Sequence, residues 1–136
     1  MRVLAVDYGE RRTGLAVSDE LGITAQGLDT LVVKDEGELL EKVAGAVRET
    51  GADTVVLGLP LNMDGTESEK SRKVRAFGGS LMERTGAKIV YWDERMTSAQ
   101  AQKVMREMSV RIRGRKERVD RIAATLILQE YLKTLS

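Results

Sequence analysis

Apolar positions along the chain come in two rhythms: short unbroken runs, and longer stretches with a helical repeat. Val3, Leu4, Ala5 and Val6 form the first run. Residues 2–7 therefore read as a strand covered on both faces, since a strand with one wet face alternates. Gly9-Glu10-Arg11-Arg12 is a turn. Thr13 to Ser18 is a second strand, antiparallel to the first because the connection is so short. A third strand falls within 23–33. Asp35 followed by Glu38 opens a helix in the manner of a capping box, with Leu39, Leu40, Val43 and Val47 on one face and Gly51 at its end. Thr54 to Gly58 is a buried strand stopped by Pro60. Thr66 and Glu69 make a second capping box, for a helix ending near Gly86, and Ile89 to Trp92 is the next strand. Thr97 and Gln100 open a further helix. The last runs from about Glu117 to Leu135, with Val119, Ile122, Ala123, Leu126, Ile127 and Leu132 as its buried side.

The stretch Glu49-Thr50-Gly51-Ala52-Asp53-Thr54-Val55 has a counterpart in Arg84-Thr85-Gly86-Ala87-Lys88-Ile89-Val90. Each is a helix end, a glycine and a strand start. Successive strand–helix–strand units give parallel strands with right-handed crossovers. The order β-β-β-α-β-α-β-α-α thus predicts one α/β domain over 1–136, with a five-stranded mixed sheet and helices on both faces. No apolar run approaches the ~20 residues needed to cross a bilayer. The apolar start before Asp7 is too short for a signal peptide, so a cytoplasmic location is expected.

Composition narrows the chemistry. The chain has no Cys and no His. Disulfides, thiolate catalysis, Ser-His-Asp triads and ordinary zinc sites are excluded. Carboxylates, hydroxyls, Lys, Arg or Tyr must do any catalytic work, and carboxylate oxygens suit Mg²⁺ or Mn²⁺. Net charge is only +1, but residues 109–121 carry six basic and two acidic side chains, which leaves the remainder at −3. A basic segment on a mildly acidic body points to an anionic partner at one place. The part around Gly114 reads as a mobile loop, and without interleaved aromatics it suits phosphate contacts rather than base stacking.

Sites in open α/β sheets gather at the carboxyl ends of parallel strands. The three ends here are Asp7-Tyr8-Gly9, Gly58-Leu59-Pro60-Leu61-Asn62 and Asp93-Glu94-Arg95. Asp7 closes a buried strand, and an unpaired buried carboxylate is costly unless a partner such as a metal satisfies it. Of Asp93 and Glu94, one can face a site while the other caps or pairs. Asp120, by spacing alone, reads as a surface acid balancing Arg118 and Arg121, one position off the apolar stripe of its helix. Two or three converging carboxylates can hold one or two metals for phosphodiester chemistry.

Four stretches together resemble the YqgF family of Holliday-junction-resolvase-like, pre-16S rRNA processing nucleases. They are Asp7-Tyr8-Gly9 with Arg12, Thr13, Gly14 and Ser18-Asp19; Gly58 through Thr66; Asp93 through Ser98; and Asp120 through Ala123-Ala124 to Gln129 and Leu132. The resemblance spans essentially the whole chain. It implies an RNase H-like fold with Asp7, Glu94 and Asp120 as the catalytic and metal-holding acids, choosing Glu94 over Asp93 and raising Asp120. Thr13 stands where the family often has Ile, a departure expected to affect packing only.

The leading expectation is a Mg²⁺- or Mn²⁺-dependent endonuclease on structured RNA, with precursor 16S rRNA 5′-end processing as its role. Arg11, Arg12, Arg95, Arg111, Arg113, Arg115 and Lys116 would grip phosphates, while Asn62, Thr97 and Ser98 orient substrate. The chain is expected to act as a monomer or weak homodimer. The rivals are a resolvase of branched DNA, a nucleic-acid-binding module without catalysis, and an ATPase, for which the chain is short of a second lobe.

Overall fold

The computed structural model describes residues 1–97, 103, 107 and 116–135, the first four of the last stretch by backbone alone. Five strands form one mixed sheet in the order β3-β2-β1-β4-β5. They are β1 (Val3–Asp7), β2 (Arg12–Ser18), β3 (Ala25–Val32), β4 (Thr54–Leu59) and β5 (Lys88–Asp93). β2 runs antiparallel to both neighbours, and β4 lies parallel to β1 and β5. The expected α/β architecture with helices on both faces is the one found.

Helix α1 (Glu36–Thr50) starts at Asp35, whose carboxylate accepts the Glu38 N–H at 2.8 Å, and ends at Gly51 in the left-handed region. Helix α2 (Glu69–Thr85) corrects the expected cap. Ser68, not Thr66, is its N-cap, in a reciprocal box with Ser71. The Thr66 hydroxyl is taken instead by Asp64 and Asn62 inside the preceding loop. These bonds hold the Thr66 side chain within the loop, away from the helix end. The helix expected after Thr97 lies mainly outside the described residues, of which 103 and 107 are helical.

The strands sort their side chains by parity. Leu4, Val6, Val55 and Leu57 pack with α1 and α2 around Leu39, Val43, Phe77 and Leu81. Val3, Ala5, Val56 and Trp92 turn to the other face, against the last helix, α3 (Lys116–Lys133). Both faces are thus dry, which explains the unbroken apolar runs.

The stripe of α3 differs from expectation. Ala124, Ile127, Leu128 and Leu132 are buried, whereas Ile122, Ala123 and Leu126 are only partly so. Close approach sets this rotation. A Cβ on Gly14 would stand 2.0 Å from the Asp120 carbonyl oxygen, and one on Gly27 would stand 2.5 Å from Arg121 Cγ. Bare glycines on β2 and β3 let the helix rest on the sheet through its first turns. Asp120 therefore lies one turn before Ala124, in line with the buried stripe rather than beside it.

Candidate active site

Asp7 ends β1. Strand parity points it with Val3 and Ala5 toward α3, and it sits directly across the ladder from Gly14. Gly14 is the residue whose missing Cβ makes room for the Asp120 backbone. The sequence thus brings Asp7 and Asp120 together through one glycine.

Glu94 follows β5 in a 3₁₀ turn, Glu94–Met96. A Cβ on Gly58 would meet Glu94 Oε1 at 2.7 Å and Ile127 Cδ1 at 2.9 Å. Its carboxylate therefore folds back over the end of β4 on the α3 face. Asp93 turns the other way. It accepts the Arg95 N–H at 2.9 Å and the Arg95 side chain from Nε and Nη2. The two adjacent acids have separate employment: one caps and pairs, the other lies over the sheet.

The electrostatics follow from this burial. The Asp7 carboxyl is pushed up to about 7, first by burial, then by the charge of Glu94; Lys70 opposes, and Asp120 adds a further push. Glu94 is also raised, chiefly by burial, with Lys70 opposing and Asp93 adding. Two neighbouring, partly buried carboxylates do not ionise independently. Such a donor set fits a hard dication, which removes the penalty on both.

Asp120 does not close with them into a three-acid cage. Arg12 Nε donates to Asp120 Oδ2 at 3.1 Å. Among the described residues, no group of three or more acidic side chains gathers closely enough to hold a metal ion. Asp7, Glu94 and Asp120 nevertheless share one face of the sheet, with Asp120 turned to an arginine.

The basic and polar residues expected to touch substrate divide. The Arg11 side chain is exposed beside the β1–β2 turn. Arg12 is engaged by Asp120. Arg95 is a staple, paired with Asp93 and donating through Nη1 to the Met63 carbonyl at 3.3 Å. Asn62 donates to Thr66 Oγ1 and to the Glu67 carbonyl, so it shapes its loop. Thr97 closes the 3₁₀ turn through its N–H to the Glu94 carbonyl. Ser98, Arg111, Arg113 and Arg115, and the side chain of Lys116, lie outside the described residues.

Thr13 does more than pack. Its hydroxyl accepts the Gly9 N–H at 3.2 Å and donates to the Gly9 carbonyl at 3.0 Å. It ties down the turn that follows Asp7, which Ile has no hydroxyl to do. Lys70 is the site residue that the sequence pattern conceals. It sits in the first turn of α2 amid other basic residues, which gives it the look of a solvated face. The available signal is its position: α2 starts at the sheet edge where β4 ends, so its first turn overlooks the site.

Residues 1–134 match the family described as "RuvX: Holliday junction resolvase". The chain belongs to that family. This RuvX-family protein is 45% identical over 139 residues to a "Putative pre-16S rRNA nuclease" of Agathobacter rectalis, covering 100% of this chain and 97% of that one. A relative of the same name in Koribacter versatilis is 44% identical over 132 residues, covering 97% and 86%. Among solved structures, "T. thermophilus RuvC in complex with Holliday junction substrate" superposes with a TM-score of 0.63 at 16% identity, covering 100% of this chain and 97% of that one. The fowlpox virus resolvase in complex with Holliday junction DNA gives 0.60 at 16%, covering 99% of each. These structures share the RNase H-like fold, and the family is the one that the four sequence stretches resemble.

Proposed function

We infer that the protein is an endonuclease that hydrolyses phosphodiester bonds in structured RNA, acting on precursor 16S rRNA. The observation that carries this reading is the buried Asp7 carboxyl at the end of β1, raised to about 7 beside Glu94. Carboxyls shifted by burial and by a like charge gather at functional sites. The names of the full-length relatives support the choice of substrate.

Asp7 and Glu94 would hold Mg²⁺ or Mn²⁺, with Asp120 joining once it parts from Arg12. The chemistry such an ion would supply there is activation of a water and neutralisation of charge on the leaving oxygen. The chain's own residues do the rest. Partial burial on the α3 face weakens the screening of the acids by water. Arg12, released from Asp120, presents its guanidinium to a phosphate. Arg95 and Asn62 hold the β4–α2 loop in place at the rim, and Arg11 with the basic segment 111–116 grips backbone. No helix among the described residues is long and apolar enough to cross a membrane. The reading includes a cytoplasmic location and a monomer or weak homodimer.

The test is cleavage of precursor 16S rRNA and of a four-way DNA junction, with and without Mn²⁺, by wild type and Asp7→Asn. Mn²⁺-dependent cutting of the RNA, lost in the variant with its fold intact, is expected. Cutting of the junction alone would transfer the activity to DNA. Binding without cutting of either would leave a recognition module.

A further inference from the structure

Arg12 and Asp120 form an ion pair whose backbones are fixed and whose side chains are not. A Cβ on Gly9 would stand 2.1 Å from the Arg12 carbonyl oxygen, so the turn after Asp7 is packed against the start of β2. The bare Cα of Gly14 fixes Asp120 in the same way, and Gly14 is the ladder partner of Asp7. Asp120 is therefore anchored one strand from Asp7 whichever way its carboxylate points. Arg12, Gly14 and Ala16 alternate along β2 onto the face that α3 covers, which is also the face of Asp7 and Glu94.

The pair is one contact, from Arg12 Nε to Asp120 Oδ2 at 3.1 Å. Among the described residues, no hydrogen bond occupies the two terminal nitrogens of Arg12 or the second oxygen of Asp120. Both side chains are partly exposed. A phosphate can reach the guanidinium and engage it through two nitrogens, a stronger geometry than the one contact with Asp120. Neither partner exchanges cheaply alone. A cation that drew Asp120 away would leave Arg12 unpaired. A phosphate that drew Arg12 away would leave a third carboxylate facing Asp7, which already feels the charge of Asp120. With both ligands present, every charge keeps a partner.

We propose that Arg12 is a positioning residue that couples substrate to cation: the phosphate that takes its guanidinium releases Asp120 toward Asp7 and Glu94. This coupling rests on the nuclease reading and adds a regulation of that site. The protein holds its cation weakly when free and tightly on RNA, so the three acids assemble where there is a bond to cut. By linkage, the cation tightens RNA binding by the same factor.

The experiment is a double-mutant cycle on binding of an RNA hairpin in EDTA, with wild type, Arg12→Ala, Asp120→Asn and the two combined. Thermal melts confirm the fold, and Arg12→Gln stands in where Arg12→Ala does not fold. Asp120→Asn is expected to tighten binding about threefold to fivefold, the span of a partly exposed ion pair, because Arg12 is no longer held back. In the Arg12→Ala background the same change is expected to move binding by less than about twofold, which measures the mere loss of a negative charge near RNA. RNA affinity is then read in Mn²⁺, over times at which a gel shows the RNA uncut. The gain from EDTA to Mn²⁺ is expected to be about threefold larger in wild type than in Arg12→Ala. Equal effects of Asp120→Asn in both backgrounds, or equal gains from Mn²⁺ in wild type and Arg12→Ala, overturn the coupling. Cleavage of precursor 16S rRNA by wild type keeps the nuclease reading separate: cleavage without coupling sinks only the coupling, while absence of both RNA binding and cleavage sinks both.

Discussion

Arg12 Nε and Asp120 Oδ2 lie 3.1 Å apart, joining the start of β2 to the first turns of α3. The pair is neither deep nor fully wet, with side chains 39% and 22% exposed, so as a brace it is worth at most about 1 kcal/mol. Its larger effect is on the third acid. A guanidinium on Asp120 competes with any cation that Asp7 and Glu94 recruit. Arg12→Ala is therefore expected to tighten Mn²⁺ binding severalfold, measured by calorimetry, while lowering cleavage about tenfold because a substrate phosphate is left without its guanidinium. Weaker Mn²⁺ binding in Arg12→Ala would mean that the arginine organises the acids rather than competing for one.

The strained carboxyl of Asp7 makes a prediction about stability. Its ordinary value is 3.8 and its folded value about 7. Below 3.8 both folded and unfolded chains hold the proton, and there is no effect. Between 3.8 and about 7 the folded chain holds a proton that the unfolded chain has lost, so stability falls as pH rises. Above about 7 the whole cost is present, on the order of a few kcal/mol. Asp7→Asn removes it. The variant should melt above wild type at pH 8, and the gap should close toward pH 4. Mn²⁺ should raise the wild-type Tm at pH 8 and leave the variant's unchanged. A variant less stable than wild type at pH 8 would show that Asp7 is not under electrostatic strain.

Much of this arrangement is legible in the sequence, for identifiable reasons. The unbroken runs at Val3–Val6 and Val55–Leu57 announce central strands, because a strand dry on both faces has few polar positions. The acids at the ends of β1 and β5 follow from the parallel order. Asp120 does not follow from spacing, since the rotation of α3 is set by Gly14 and Gly27, far away in the chain. The cap of α2 is ambiguous in the sequence because Thr66, Ser68 and Ser71 are all competent hydroxyls, and only the loop's own hydrogen bonds decide among them. Arg95 has the look of a phosphate ligand because its bond to the Met63 carbonyl is tertiary. Lys70 is hidden by its basic neighbours.

The close approach at Gly14 is a test of how the acids are assembled. Alanine there would place a methyl 2.0 Å from the Asp120 carbonyl oxygen, a backbone atom that no side-chain rotation can move. Either α3 retreats from β2 or the strand shifts, at a cost of about 1–3 kcal/mol. Gly14→Ala should lower the urea midpoint and abolish cleavage even where the protein remains folded, because Asp120 moves away from Asp7. Full activity in the variant would mean that Asp120 need not approach from β2.

Arg95 separates two roles that predict different measurements. The structure gives it Asp93 through three nitrogen–oxygen contacts, the Met63 carbonyl, and the bare Cα of Gly65, where a Cβ would meet Nη1 at 3.1 Å. Gly65 has φ +89°, open to glycine and strained for other residues. Arg95 thus holds the loop between β4 and α2 against the end of β5, beside Glu94. Removing a staple loosens what it held. Arg95→Ala should speed hydrogen exchange and proteolysis across 61–66 and reduce cleavage, while the salt dependence of RNA binding stays as in wild type. If Arg95 instead grips a phosphate, the loop keeps its protection and the salt dependence flattens, by about 0.7–0.9 in log–log slope. The two readouts move in opposite patterns, so one variant decides whether this arginine serves the protein or the substrate.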